Sequence, residues 1–170
     1  MDKLWAPWRH TYIKSGPRKV RGKGSIFSKM IKEKKDKSNF IVIRREHAFM
    51  VLNIFPYNNG HVLVVPNRQV SDLSELSAEE KLCFYDLLEE TKDLLQETLN
   101  PHGFNIGMNL GKISGAGIPG HLHLHIVPRW RGDANFMPVV AQTKVISQSL
   151  NELYKVLTHA HKRRLRKIRK

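Results

Sequence analysis

The chain has 170 residues, enough for one domain with a real core and cramped for two, and 41% of them are hydrophobic, as in ordinary globular proteins. Against 15 Asp and Glu stand 29 Lys and Arg, a formal net charge of +14 that points toward anionic partners. One cysteine, Cys83, excludes a disulfide framework and a multi-cysteine metal site, and no apolar run approaches the roughly 20 residues of a membrane span. The opening "MDKLWAPWRH" lacks the apolar core of a signal peptide, so a soluble cytoplasmic protein is expected.

Residues 1–38 are rich in Lys, Gly and Ser, with Trp5, Trp8 and Tyr12 as large anchors, and are expected to form an arm and a basic loop. "NFIVIRREHAFMVLN" (39–53) is dense in β-branched and aromatic residues around a charged break, which suits two strands and a tight turn. "PYNNG" then turns the chain into a third strand, "HVLVVP" (61–66). "LSAEEKLCFYDLLEETKDLLQETLN" carries a capping-box pattern at Ser77 and Glu80 and predicts a helix of about six turns, with Leu82, Tyr85, Leu88, Leu95 and Leu99 on its apolar face. Cys83 lies in this helix, as a small buried apolar residue. "FNIGMNL" (104–110) and "HLHLHIVP" (121–128) add two strands, and "KVISQSLNELYKVL" (144–157) has the spacing of a C-terminal helix. The order of elements predicts an α+β domain over 39–158 with a five-stranded antiparallel sheet, followed by a basic tail, 159–170. Seven of the last ten residues are basic, so half the net charge lies there and the middle is nearer neutral.

His121, His123 and His125 alternate with Leu122, Leu124 and Ile126, so a strand here has a histidine face and an apolar face. Three readings compete: histidines satisfied by backbone groups, a three-histidine zinc site, and an imidazole nucleophile oriented by its neighbours. The lead-in "GKISGAGIPG", with four glycines in ten residues, favours the third, because such a loop brings backbone N–H groups to an anion and zinc has no need of it.

These residues carry a resemblance. "HLHLHIV" resembles the signature of the histidine-triad family of nucleotide hydrolases and transferases, and "AFMVLNIFPYNNGHVLVVP" resembles that family's Asn-to-Gly-His strand pair. "LWAPWRHTYI" and "HLHLHIVPRWRGDANFMP" are similar to its bacterial diadenosine-tetraphosphate phosphorylase and hydrolase-like branch, so the likeness spans roughly 4–157. It implies the family fold, a homodimer, and cleavage of a dinucleoside polyphosphate through a nucleotidyl-histidine formed on His123. His125 would contact phosphate oxygens, and His121 would sit nearer the structural shell with His61. Asn53 would hold the ribose hydroxyls, Asn109 the phosphate or leaving group, and Gly115 and Gly117 would offer backbone donors to growing charge. A non-catalytic nucleotide- or RNA-associated protein is the rival reading.

Two departures stand out. Where many family members have a Cys-x-x-Cys pair that binds structural zinc with the equivalents of His61 and His121, this chain has Ser25 and Ser28. Hydroxyls are poor zinc ligands, so no metal is expected, and packing of Ile26 and Phe27 has to hold the segment. Several members of the resembled family also place a Ser or Thr within three residues of the first histidine, where it can protonate the leaving group. Here Ile118, Pro119 and Gly120 precede it and Ser114 is the loop's one hydroxyl, which leaves hydrolysis or phosphorolysis open. The basic tail offers attachment to nucleic acid or attraction of polyphosphate. His47 and His102 read as turn residues, and His10, His159 and His161 as surface ones.

Overall fold

A computed structural model of the chain describes residues 24–134 and 146–168. Strands β1 (Ile41–Arg44), β2 (Ala48–Leu52), β3 (Val62–Pro66), β4 (Gly103–Met108) and β5 (Leu124–Arg129) form one sheet in the order β1-β2-β3-β5-β4. Every neighbouring pair is antiparallel, as the sequence predicts for this α+β chain. Helices α1 (Ile26–Glu33) and α2 (Asp36–Asn39) precede the sheet, α3 (Ala78–Leu99) links β3 to β4, and α4 (Leu150–Ile168) ends the described chain.

All five residues of β2 and of β3 are buried because the sheet is covered on both faces. On one face Met50, Leu52, Val62, Val64, Leu124 and Ile126 pack against Phe84, Leu87, Leu94 and Leu95 of α3 and Leu153 and Leu157 of α4. On the other, Phe49, Val51, Leu63 and Val65 meet Phe27, with Ile26, Met30, Ile31 and Ile118 at the margin. Each such side chain contributes roughly 1.5–3 kcal/mol on leaving water.

Helix α3 starts where its sequence says, with the Ser77 hydroxyl accepting from Glu80 N–H and the Glu80 carboxylate accepting from Ser77 N–H. Its buried face overlaps the expected one in part: Leu95 is in the core and Leu88 and Leu99 pack against it as expected, but Leu82 and Tyr85 do not. Phe84, Leu87, Thr91, Leu94 and Leu95 are buried, whereas Leu82 is 65% and Tyr85 53% exposed. The helix carries two apolar stripes, and only the sheet selects between them. Cys83 is half-buried against the core.

The ends also differ from the expected division. Residues 26–33 are a helix seated on the sheet, capped by Ser25, and not part of a loop. Their apolar positions Ile26, Phe27, Met30 and Ile31 share one helical face, a pattern the surrounding lysines obscure. The basic run expected as a tail continues α4 to Ile168, and His161 is buried rather than on the surface. Expectations for Trp5, Trp8, His10 and Tyr12 fall outside the described residues.

Candidate active site

Strand β5 begins at Leu124, so of the three histidines only His125 is a strand residue, paired across to Leu63 and Gly107. The two before it are extended chain held by other bonds. Leu122 N–H donates to Val70 O at 2.6 Å and His121 N–H to Ile118 O at 3.2 Å. Alternation survives: Leu122 and Leu124 are buried among apolar groups, while the imidazoles form a row on the α1 side. The His123 and His125 ring centroids are 5.0 Å apart. Phe27 of α1 roofs the row, 5.4 Å from His121 and 5.5 Å from His123.

Carbonyl oxygens only accept hydrogen bonds, which assigns the protons. His123 Nδ1–H donates to its neighbour carbonyl, His121 O, at 2.8 Å, so the Nε2 lone pair is the basic atom of a neutral His123. His121 Nε2–H donates to Pro66 O at 2.8 Å, and Nδ1 therefore accepts the Ser25 hydroxyl at 2.5 Å. Burial pushes both imidazoles below their ordinary value of 6.5 and outweighs the pull of the carbonyls. Both are neutral at pH 7.

A second chain of donors reaches His125 from the β2–β3 turn. Tyr57 N–H donates to His61 Nδ1 at 3.0 Å, which puts the His61 proton on Nε2, and that proton is donated to His125 Nδ1 at 2.9 Å. His125 consequently carries its own proton on Nε2. The Tyr57 ring stacks on His125, with centroids 5.7 Å apart and planes 12° apart. The row thus ends in two unlike imidazoles, a lone pair on His123 and an N–H on His125. This is the pairing that nucleophilic displacement at phosphorus with protonation of a leaving oxygen requires.

The other sequence candidates are placed unevenly. Asn53 Nδ2 lies 3.3 Å from each ring nitrogen of His61, and its Oδ1 accepts from Phe55 N–H, so it borders the row. Asn109 follows Met108, the register partner of Leu124, and one further step along both chains sets it level with His123. Gly115 turns the loop at φ +85°. Among the described residues, Asn109, Gly115 and Gly117 make no hydrogen bond to the row. The Ser114 hydroxyl donates to Gly111 O at 2.8 Å.

His61 is not brought to Ser25 and Ser28, contrary to the grouping that the resemblance implies. It stands at the far end of the row beside Tyr57 and His125. Gln69 takes its place: its Oε1 accepts from Ser25 N–H at 2.9 Å and from the Ser28 hydroxyl at 3.2 Å. Two hydroxyls, a carboxamide and one imidazole, joined by hydrogen bonds, do not fit zinc, which prefers thiolates and imidazoles. This knot instead holds His121, whose carbonyl orients His123. Gln69 and Tyr57 escape sequence reasoning because nothing in "NRQV" or "FPYN" marks them: Gln69 meets the distant Ser25 and Ser28, and the Tyr57 ring meets the distant His125, although its N–H bonds the nearby His61.

A model of the HIT domain matches residues 34–132. Over 161 residues the chain is 36% identical to a Mycobacterium tuberculosis protein named AP-4-A phosphorylase, covering 92% of this chain and 83% of that one. A Schizosaccharomyces pombe protein named asymmetrical bis(5'-nucleosyl)-tetraphosphatase is 32% identical over 93 residues, 55% of this chain and 50% of that one. Among solved structures, a zinc-bound histidine triad family protein from Mycobacterium smegmatis superposes with a TM-score of 0.65 at 23% identity, covering 82% of this chain and 94% of that one. A HIT family protein from Bacillus anthracis does so with a TM-score of 0.59 at 28% identity, covering 64% and 75%.

Proposed function

The chain belongs to the HIT domain family, and from that premise we propose that it is a cytoplasmic enzyme cleaving a phosphoanhydride of diadenosine tetraphosphate through a nucleotidyl-His123 intermediate. The observation that carries this reading is the state of His123: buried, neutral, and with its Nδ1 proton committed to a carbonyl. Nε2 attacks the α-phosphorus, the new N–P bond replaces the bond to the bridging oxygen, and ATP departs. With no hydroxyl at Ile118, Pro119 or Gly120, His125 Nε2–H supplies the proton to the leaving oxygen, and His61 Nε2–H supports His125 at Nδ1. Phosphate then attacks to release ADP, or water to release AMP, and His123 is restored. Asn53 holds the ribose hydroxyls, while Asn109 and the backbone at Gly115 and Gly117 face the phosphate oxygens. The activity named for the M. tuberculosis relative supports phosphate as acceptor.

The test is to incubate wild type and His123→Ala with diadenosine tetraphosphate, with and without phosphate, and identify products. ADP plus ATP only with phosphate is expected, with at least a 1000-fold lower rate for the variant, on the order of 4 kcal/mol in the barrier. AMP plus ATP makes it a hydrolase. Absence of turnover by wild type on any adenylylated substrate leaves only a non-catalytic nucleotide-binding role.

The enzyme is a homodimer on this reading. Edge strand β4 and the outer stripe of α3 support it, since Leu82, Tyr85 and Ile106 are exposed together and Tyr85, Leu88 and Ile106 line a cleft of about 360 Å³.

A further inference from the structure

The sheet edge opposite β4 gathers positive charge from two ends of the sequence. Lys32, Lys34, Lys35 and Lys37, in and after α1 and in α2, are exposed. So are Lys162, Arg166 and Lys167 on the last turns of α4. The two groups meet at Arg44 and Arg45, consecutive residues at the end of β1. Arg44 grips Asp36 at 2.6 Å and the carbonyls of Met30 and Ile31, which ties down α1 and α2. Arg45 grips Glu90 of α3 with both carboxylate contacts at 2.6 Å, and Glu90 is 3.5 Å from His161 of α4, with Arg164 donating to its backbone carbonyl. Arg163 and Arg164 further engage Glu97.

Asp36, Glu90 and Glu97 are therefore engaged by an inner layer of arginines, whose forked guanidinium groups suit fixed carboxylate contacts, while Glu33 pairs with Lys29 and Glu46 stays exposed beside His47. Among the described residues none of the seven exposed cations is in an ion pair, although Lys167 joins Arg163 and Arg164 in holding the Glu97 carboxyl below its ordinary value. We propose that this belt at the β1 edge binds the phosphate backbone of nucleic acid without regard to base sequence. A membrane surface suits it less, because Leu153, Leu157 and Ala160 of α4 are already buried in the core and the exposed Val156 and Leu165 lie on opposite sides of the helix, not on one apolar face. The belt lies at the sheet edge away from β4, and none of its cations is among the hydrogen-bond or ring partners described for His123 and His125. Nucleic-acid binding and nucleotide turnover are consequently separable.

The test uses the full chain and a labelled 20-nucleotide RNA and a 20-base-pair DNA of mixed sequence, with anisotropy read from 50 to 200 mM salt. If all seven cations reach phosphate, the logarithm of affinity for duplex falls with the logarithm of salt with a slope of about −6, roughly a four-thousandfold loss over that range. Lys162→Ala/Arg166→Ala/Lys167→Ala flattens the slope by about 3, and Lys32→Ala/Lys34→Ala/Lys35→Ala/Lys37→Ala by about 3 to 4, each with nucleotide turnover unchanged. Retained turnover also shows that each variant is folded, and the two sets act on separate elements, so either alone suffices. Absence of binding by wild type at 50 mM salt overturns the proposal. So does a slope that neither variant changes, or tighter binding to phosphatidylserine vesicles than to either nucleic acid.

Discussion

As the proposed nucleophile His123 works only while neutral, and burial keeps it neutral to a lower pH than a free imidazole. The acid limb of kcat/KM is therefore expected below pH 6.5, and a limb at or above that value contradicts the assignment. The same burial has a sign for stability. His121, His123 and His161 all lie below 6.5 in the folded chain, chiefly through desolvation, so the unfolded chain binds more protons as pH falls. Stability is full above about pH 6.5 and is lost progressively below it. Urea midpoints at pH 7.5 and 5.5 check this, and equal midpoints refute it. The Ser25, Ser28, Gln69 and His121 knot makes a constructive prediction. Ser25→Cys with Ser28→Cys and Gln69→His converts it to two thiolates and two imidazoles around one point, and metal analysis is expected to find one zinc per chain. A metal-free triple variant means that the four positions do not converge. The histidines and the serines were legible as residues in the sequence. Their proton positions were not, because Pro66 O, Tyr57 N–H and Gln69 become their neighbours only on folding.

At the scale of elements, β-branched density and turn residues located all five strands, because those signals are local. The turn at "PYNNG" illustrates why. Gly60 has φ +74°, and a Cβ there would stand 2.5 Å from Leu99 Cδ1 and 3.0 Å from Pro128 Cγ. Gly60→Ala is expected to cost about 1–2 kcal/mol from the left-handed backbone alone, and chemical denaturation reads it. A loss under about 0.5 kcal/mol would mean that the turn rearranges. Period likewise identified α3, but phase did not follow from it. Leu82 and Tyr85 look as apolar in sequence as Phe84 and Leu87, and only contact with β2 and β3 separates them. α1 was missed for a related reason: eight residues that include Lys29 and Lys32 and run on into Lys34 and Lys35 show little of their buried face until the sheet is beneath them.

At the scale of the molecule, the two edges of the sheet divide two proposed contacts. The β4 edge, with Tyr85 and Ile106 exposed, is the proposed dimer surface, and Tyr85→Glu with Ile106→Lys is expected to yield monomers by sedimentation. A wild type that sediments as a monomer at micromolar concentration sinks that assignment. The β1 edge carries the charge, on two segments far apart in sequence. By itself the sequence determined the α+β order, the alternation that gathers three histidines and the glycine loop before them, since each follows from local period and backbone freedom. Only the tertiary structure decided which imidazole holds a lone pair and which a proton, which stripe of α3 is core, and that the basic ends share one edge. The bonds from His123 to His121 O and from Tyr57 N–H to His61 are local. Those that tie His121 to Pro66 and Ser25, the His61–His125 bond and the packing faces join residues far apart in sequence, and local sequence cannot encode them.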